Sequence, residues 1–180
     1  MSPLRTFASI AVLAGAIGGV AGAENEPFPE FGAPVSTADL APYLAIPPSG
    51  AGLPAGRGDA ARGKVVYEAK CVACHGERLE GVKETGGAAL VGGRGTLATP
   101  KPVKTVESYW PFATTVFDYV KRAMPFNAPG SLTNDEIYAV TAYILASGQI
   151  IPETAMIDAA SLAKVKMPNR DGFIPDPRPK

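Results

Sequence analysis

The stretch Cys71-Val72-Ala73-Cys74-His75 decides how the rest of the chain is read. It holds both cysteines and the only histidine of a 180-residue sequence. Residues at i and i+3 of a helical turn face the same way, so Cys71 and Cys74 present two thiols side by side. His75 follows at i+4 from Cys71, where its imidazole can swing beneath whatever the thiols hold. C-x-x-C-H is the attachment signature of a c-type haem. Two thioethers tie one edge of the ring to the chain, the imidazole takes the iron, and the covalent bonds keep the cofactor from being lost.

Other uses of these residues are weaker. A redox-active C-x-x-C sits at a strand-to-helix junction of a βαβ fold, and no such pattern flanks this one. A zinc site would find two thiolates and one adjacent imidazole, with no second cluster to complete it. A disulfide suits an oxidising compartment, but it leaves the position of the lone histidine unexplained.

Composition is consistent with one modest haem domain. The 17 basic and 17 acidic residues cancel to a formal charge of zero, which lacks the footprint of a general nucleic-acid binder. Two cysteines exclude a disulfide-dense scaffold, and one histidine excludes a three-histidine metal site. The 20 glycines and 18 prolines point to long loops.

Residues 1–23 read as a cleavable signal peptide. Arg5 precedes an apolar run from Phe7 to Val20, and Ala21-Gly22-Ala23 gives the small-x-small cleavage pattern. The run is too short and too rich in Gly and Ala for a membrane span. The expected address is the periplasm. Residues 24–56 contain Glu24, Glu26, Glu30 and Asp39 without a Lys or Arg, together with seven prolines, and read as an acidic arm or linker. Residues 57–151 form the expected haem domain, and 152–180 an irregular tail. Arms of this length are expected to wrap the haem domain or a partner.

Three helices are legible in 57–151, and no useful strand alternation is. The first runs from Asp59, its cap, to Cys71, with Gly63, Val66 and Tyr67 on one face. The second lies between Pro111 and Ala123, with Val116, Tyr119 and Val120 in phase. The third spans Asn134 to Ser147. Thr133 and Glu136 form its capping box, Leu132 can staple onto Ile137, and Gly148 stands where a left-handed residue is wanted. The expected class is all-α.

The iron needs a second axial ligand, and no second histidine exists. Met124 follows the second helix, and Pro125 forces a loop there. Met167 is the rival and Met156 a weaker one. His75/Met124 ligation would raise the reduction potential and leave no open position. Leu79, Leu90, Val91, Leu97, Phe112, Phe117, Tyr119 and Ile144 are candidate wall residues. Arg94 and Trp110 are candidate partners for the haem propionates. Lys101, Lys104, Lys121 and Arg122 are a candidate docking rim.

With these features the chain resembles the class I cytochrome c family over residues 57–151. That resemblance implies that first and last helices cross through Gly63 and Tyr67 against Val140 and Tyr143. Family members carry a Gly-Pro-x-Leu-x-Gly loop whose proline carbonyl accepts from the haem histidine. Here the loop is Gly87-Ala88-Ala89-Leu90-Val91-Gly92, so Ala88 would supply the carbonyl without the rigidity. The stretches Gly50–Pro54, Pro102–Pro111 and Phe117–Pro129 are similar to the haem domains of bacterial sulfur-oxidation cytochromes. Those include the cytochrome subunits of molybdenum sulfite dehydrogenase and of sulfur dehydrogenase in the thiosulfate-oxidising system. The resemblance implies a one-electron carrier with a single haem c, not an enzyme. Its redox partner would be a sulfite dehydrogenase, with a downstream acceptor. The sulfur dehydrogenase cytochromes usually carry two haems, and one attachment site here favours the sulfite type. A sulfur or thiosulfate dehydrogenase subunit is the alternative, and a thiol–disulfide oxidoreductase a more distant one.

Overall fold

The computed structural model describes residues 35–40 and 45–178. The expected signal peptide lies outside the described residues, as does most of the acidic arm. Thr37–Leu40 forms a single helical turn, α1, in a unit of its own with Leu40 exposed.

From residue 45 onward the chain forms one packed unit. Strand β1 (Arg57–Asp59) leads into α2 (Ala60–Lys70) and the short α3 (Val72–His75). A 3-10 turn at Lys83–Thr85 and a long irregular stretch precede α4 (Ala113–Ala123) and α5 (Asn134–Ser147). Strand β2 (Met156–Asp158) and α6 (Ala159–Leu162) follow.

Helix α5 is the centre of the core. Residues Ile137 to Ala142, Ile144, Leu145 and Ala146 are buried, as expected of a helix apolar on most of its circumference. Its start obeys the sequence signal. The Thr133 hydroxyl accepts from Glu136 N–H, and the Glu136 carboxylate accepts from Thr133 N–H at 2.8 Å. Helix α2 crosses α5 at Gly63, where a Cβ would lie 1.9 Å from the Ala139 carbonyl oxygen. Only glycine allows that approach. Beside it, the rings of Tyr67 and Tyr143 meet at 5.2 Å. Helix α2 is capped by Asp59, which accepts from Arg62 N–H at 2.8 Å.

The second helix, Ala113–Ala123, falls within its expected bounds, with Phe112 as its cap residue. Three other expectations are corrected. Gly148 is not left-handed (φ −82°); Gln149 is, at φ 54°. A Cβ at Gly148 would press on the Glu107 side chain, meeting its Cγ at 3.2 Å. A small antiparallel sheet exists. Arg57 pairs with Asp158 and Asp59 with Met156, in strands too short to leave a periodic trace in sequence.

The packed unit is also wider than residues 57–151. Ile157, Leu162 and Met167 are fully buried in the core, each large side chain contributing about 1.5–3 kcal/mol. Asn169 Nδ2 donates to the Tyr109 carbonyl at 2.7 Å, and the Arg170 guanidinium sits 4.3 Å over the Phe112 ring. On the other flank, Ile46 N–H donates to Asp118 and Tyr138 O–H to the Pro54 carbonyl, both at 2.9 Å. The two flanks therefore wrap the helices between them. Among the described residues no helix is long and apolar enough to cross a membrane.

Candidate functional site

Helix α2 stops at Cys71, whose N–H still reaches the Tyr67 carbonyl at 2.8 Å. The chain then tightens into α3, with the N–H groups of Cys74 and His75 both donating to the Cys71 carbonyl. Gly76, at φ 80°, ends the turn, and its carbonyl accepts from the Tyr67 hydroxyl at 2.7 Å. Burial first, and then the neighbouring Cys71, raises the Tyr67 phenol far above its usual range, so it remains a donor. Burial also pushes the Cys71 thiol up to about 11, with Cys74 adding to the effect.

The loop after α3 folds back beneath it. A Cβ on Gly87 would lie 1.8 Å from the Cys74 carbonyl oxygen, so this approach demands glycine. The next residue aims its carbonyl at the imidazole: His75 Nδ1 is 2.7 Å from Ala88 O. A carbonyl only accepts, so Nδ1 carries the proton and Nε2 keeps the lone pair.

Cys71, Cys74, His75 and Met124 all line one cavity of about 580 Å³, a size within the usual range for a cofactor. Its walls are largely apolar, with Tyr67 from α2, Val116 and Val120 from α4, and Val140 and Ile144 from α5. Met124 is the extended residue that closes α4, its N–H donating to the Val120 carbonyl at 3.1 Å. Two free thiols, an imidazole with its outer nitrogen engaged, a thioether and an apolar pocket fit a covalently held tetrapyrrole. They do not fit zinc, and among the described residues no group of three or more His, Cys, Asp or Glu could hold a metal ion.

The remaining sequence candidates divide. Trp110 lines the cavity, edge-on to Tyr119 at 5.6 Å. Arg94 does not line it. Its guanidinium pairs with Glu107 at 2.6 Å and donates to the Gly148 carbonyl. Met167 is buried in the core away from the cavity, and Met156 is half-exposed on β2. Of the candidate walls, Leu90, Tyr119 and Ile144 line the cavity; Leu79 and Phe117 are ordinary core, and Val91, Leu97 and Phe112 lie off the lining. Among the candidate rim, Lys104 lines the cavity, 5.2 Å above the Tyr109 ring, and Arg122 pairs with Asp118 at 2.9 Å. The cavity's Tyr67 and Val140 had been read only as helix-crossing residues. The helical period marks an apolar face without telling helix contact from cofactor contact.

A cytochrome c family model matches residues 60–147, from the start of α2 to the end of α5. The chain belongs to the cytochrome c family. It is also similar to a chain in the crystal structure of the sulfane dehydrogenase SoxCD from Paracoccus pantotrophus, at 37% identity and a TM-score of 0.75. That match covers 83% of this chain and 73% of the other. No curated protein matches it. As a cytochrome c, the protein carries covalently attached haem c and is an electron-transfer protein rather than an enzyme. The all-α class I fold with irregular termini accords with both matches.

Proposed function

We propose that the protein is a periplasmic one-electron carrier that takes electrons from a dehydrogenase of an inorganic sulfur compound. The observation that carries the site assignment is the meeting of Cys71, Cys74, His75 and Met124 on one cavity. Cys71 and Cys74 would hold the haem through thioethers. His75 would offer Nε2 to the iron, and the Ala88 carbonyl on Nδ1 fixes the ring's tautomer and would strengthen it as a ligand. Met124 would supply a sulfur ligand. The bound group supplies an Fe(III)/Fe(II) couple, whose potential His/Met ligation raises. The apolar walls exclude water, and no side chain needs to act as acid or base. Trp110, on the cavity wall, is the proposed propionate partner. Lys101, Lys104 and Lys121 are the proposed contacts for the redox partner.

The likeness to a chain of a sulfane dehydrogenase supports the sulfur-oxidation reading. It also favours the sulfur dehydrogenase alternative over the sulfite dehydrogenase that a single attachment site points to. Rapid mixing of the oxidised protein with each dehydrogenase and its substrate separates them. Fast reduction by one and not the other names the donor, and reduction by neither rejects the sulfur reading. A c-type pyridine haemochrome with a mass increment of one haem tests attachment and excludes free-thiol redox chemistry. For export, the mature protein in a periplasmic extract should begin near Glu24.

A further inference from the structure

The carbonyl that holds His75 sits in a segment with little stiffness of its own. Residues 86–95 include Gly86, Gly87, Gly92, Gly93 and Gly95, and all of these except Gly87 have positive φ. Such a segment gives up much backbone freedom to hold one carbonyl in place. Its outer half converges on one side chain. The Glu107 carboxylate accepts from Gly92 N–H at 2.5 Å and pairs with Arg94 Nε at 2.6 Å, and Glu107 N–H donates to the Leu90 carbonyl at 3.3 Å. Arg94 continues to the Gly148 carbonyl at the end of α5. Thr105, two residues before Glu107, donates from its hydroxyl to the Gly92 carbonyl at 2.7 Å. The Glu107 side chain is 14% exposed, so solvent competes little for its oxygens.

We propose that Glu107, with Arg94, is a positioning residue for His75: it pins the glycine-rich loop to the end of α5 and so fixes the Ala88 carbonyl on Nδ1. This rests on His75 being the iron ligand. An imidazole that donates to a fixed carbonyl is a stronger base at its other nitrogen. The stronger ligand favours Fe(III), so the clamp lowers the reduction potential relative to a loose loop. Arg94 thus acts on the haem side through the backbone, although it does not line the cavity.

The test uses the reduced holoprotein, reading solvent exchange of the His75 Nδ1–H by NMR together with the reduction potential. Glu107→Ala should speed exchange by about tenfold, the scale of one hydrogen bond's net worth, and raise the potential, with the Met–Fe near-infrared band of the oxidised form unchanged. Glu107→Gln keeps an oxygen for Gly92 N–H and should move both far less. Equal potential shifts in the two variants would mean that only the lost charge matters, which overturns the proposal. Adding Ala88→Pro to Glu107→Ala stiffens the loop from within. No hydrogen bond uses the Ala88 N–H in the described residues, and slow exchange should return. Unmoved exchange in Glu107→Ala, or failure of the proline to restore it, also overturns the proposal. If Glu107→Ala yields no holoprotein, Arg94→Ala should shift exchange in the same direction by less, and no shift there overturns it. A wild-type chain without a c-type haemochrome sinks the proposed function and this inference together. An intact spectrum with unmoved exchange sinks this inference alone.

Discussion

The two sides of the cavity are built differently. On the His75 side the chain is stitched closely: Gly81 N–H to the His75 carbonyl at 2.7 Å, Val82 N–H to the Cys74 carbonyl at 3.0 Å, and Leu90 N–H to the Leu79 carbonyl at 2.8 Å. The Tyr67 and Ala88 bonds add to these. On the Met124 side, residues 125–131 make two turn hydrogen bonds among the described residues, Ala128 N–H to the Pro125 carbonyl and Ser131 N–H to the Ala128 carbonyl. Residues 128–131 there are exposed. Low local hydrogen bonding and high exposure mark the regions that open first. The protein therefore fixes His75 by its own fold, while Met124 is held mainly by the end of α4.

The strongest way to break this contrast is Gly87→Val on the stitched side. Its side chain would collide with the Cys74 backbone, and we expect the holoprotein to be lost, seen as absence of the c-type haemochrome. Met124→Ala should be milder, because that side chain is only partly buried against the core and its loss leaves the backbone path unchanged. The haem should stay attached, the near-infrared band should vanish, the potential should fall, and cyanide should bind rapidly. A surviving band would reassign the ligand.

A smaller effect lies where the loose side rejoins α5. The Thr133 backbone N–H and then its hydroxyl hold the Glu136 carboxyl below its usual 4.5. A carboxyl lowered on folding contributes stability above pH 4.5, which is lost as the pH falls through its folded value. Thr133→Ala should cost about 0.5–2 kcal/mol at neutral pH and flatten the decline in Tm below pH 4.5. Smallest of all, Ser131→Ala, exposed and off the cavity lining, should change stability by no more than about 0.5 kcal/mol, by denaturant titration. A larger loss would mean that the Met124 side is packed more tightly than its exposure implies.

What was legible rests on fixed local spacing, which sequence displays: C-x-x-C-H, the three helices and the Thr133–Glu136 box. The Ala88 carbonyl followed only from the resemblance to the class I cytochrome c family. Met124 was legible for a similar reason, as a methionine between a helix end and a proline. Arg94 was misread because a basic residue in a glycine-rich loop gives no sign of its partner. Glu107 lies 13 residues away and Gly148 lies 54 away, and only packing brings them together. The flanks hid their role because three-residue strands and single buried side chains such as Met167 carry no period.

The pairing of β1 with β2 sets an order of assembly. Arg57–Asp59 opens α2, yet its partner strand is Met156–Asp158, about a hundred residues later. A chain emerging from its N-terminus offers Cys71, Cys74 and His75 well before the far strand, and before α5, which α2 must cross. Contacts so distant in sequence close late. The thiols are thus on hand while the clamp around them is still open, and the last fifth of the chain closes the domain over them.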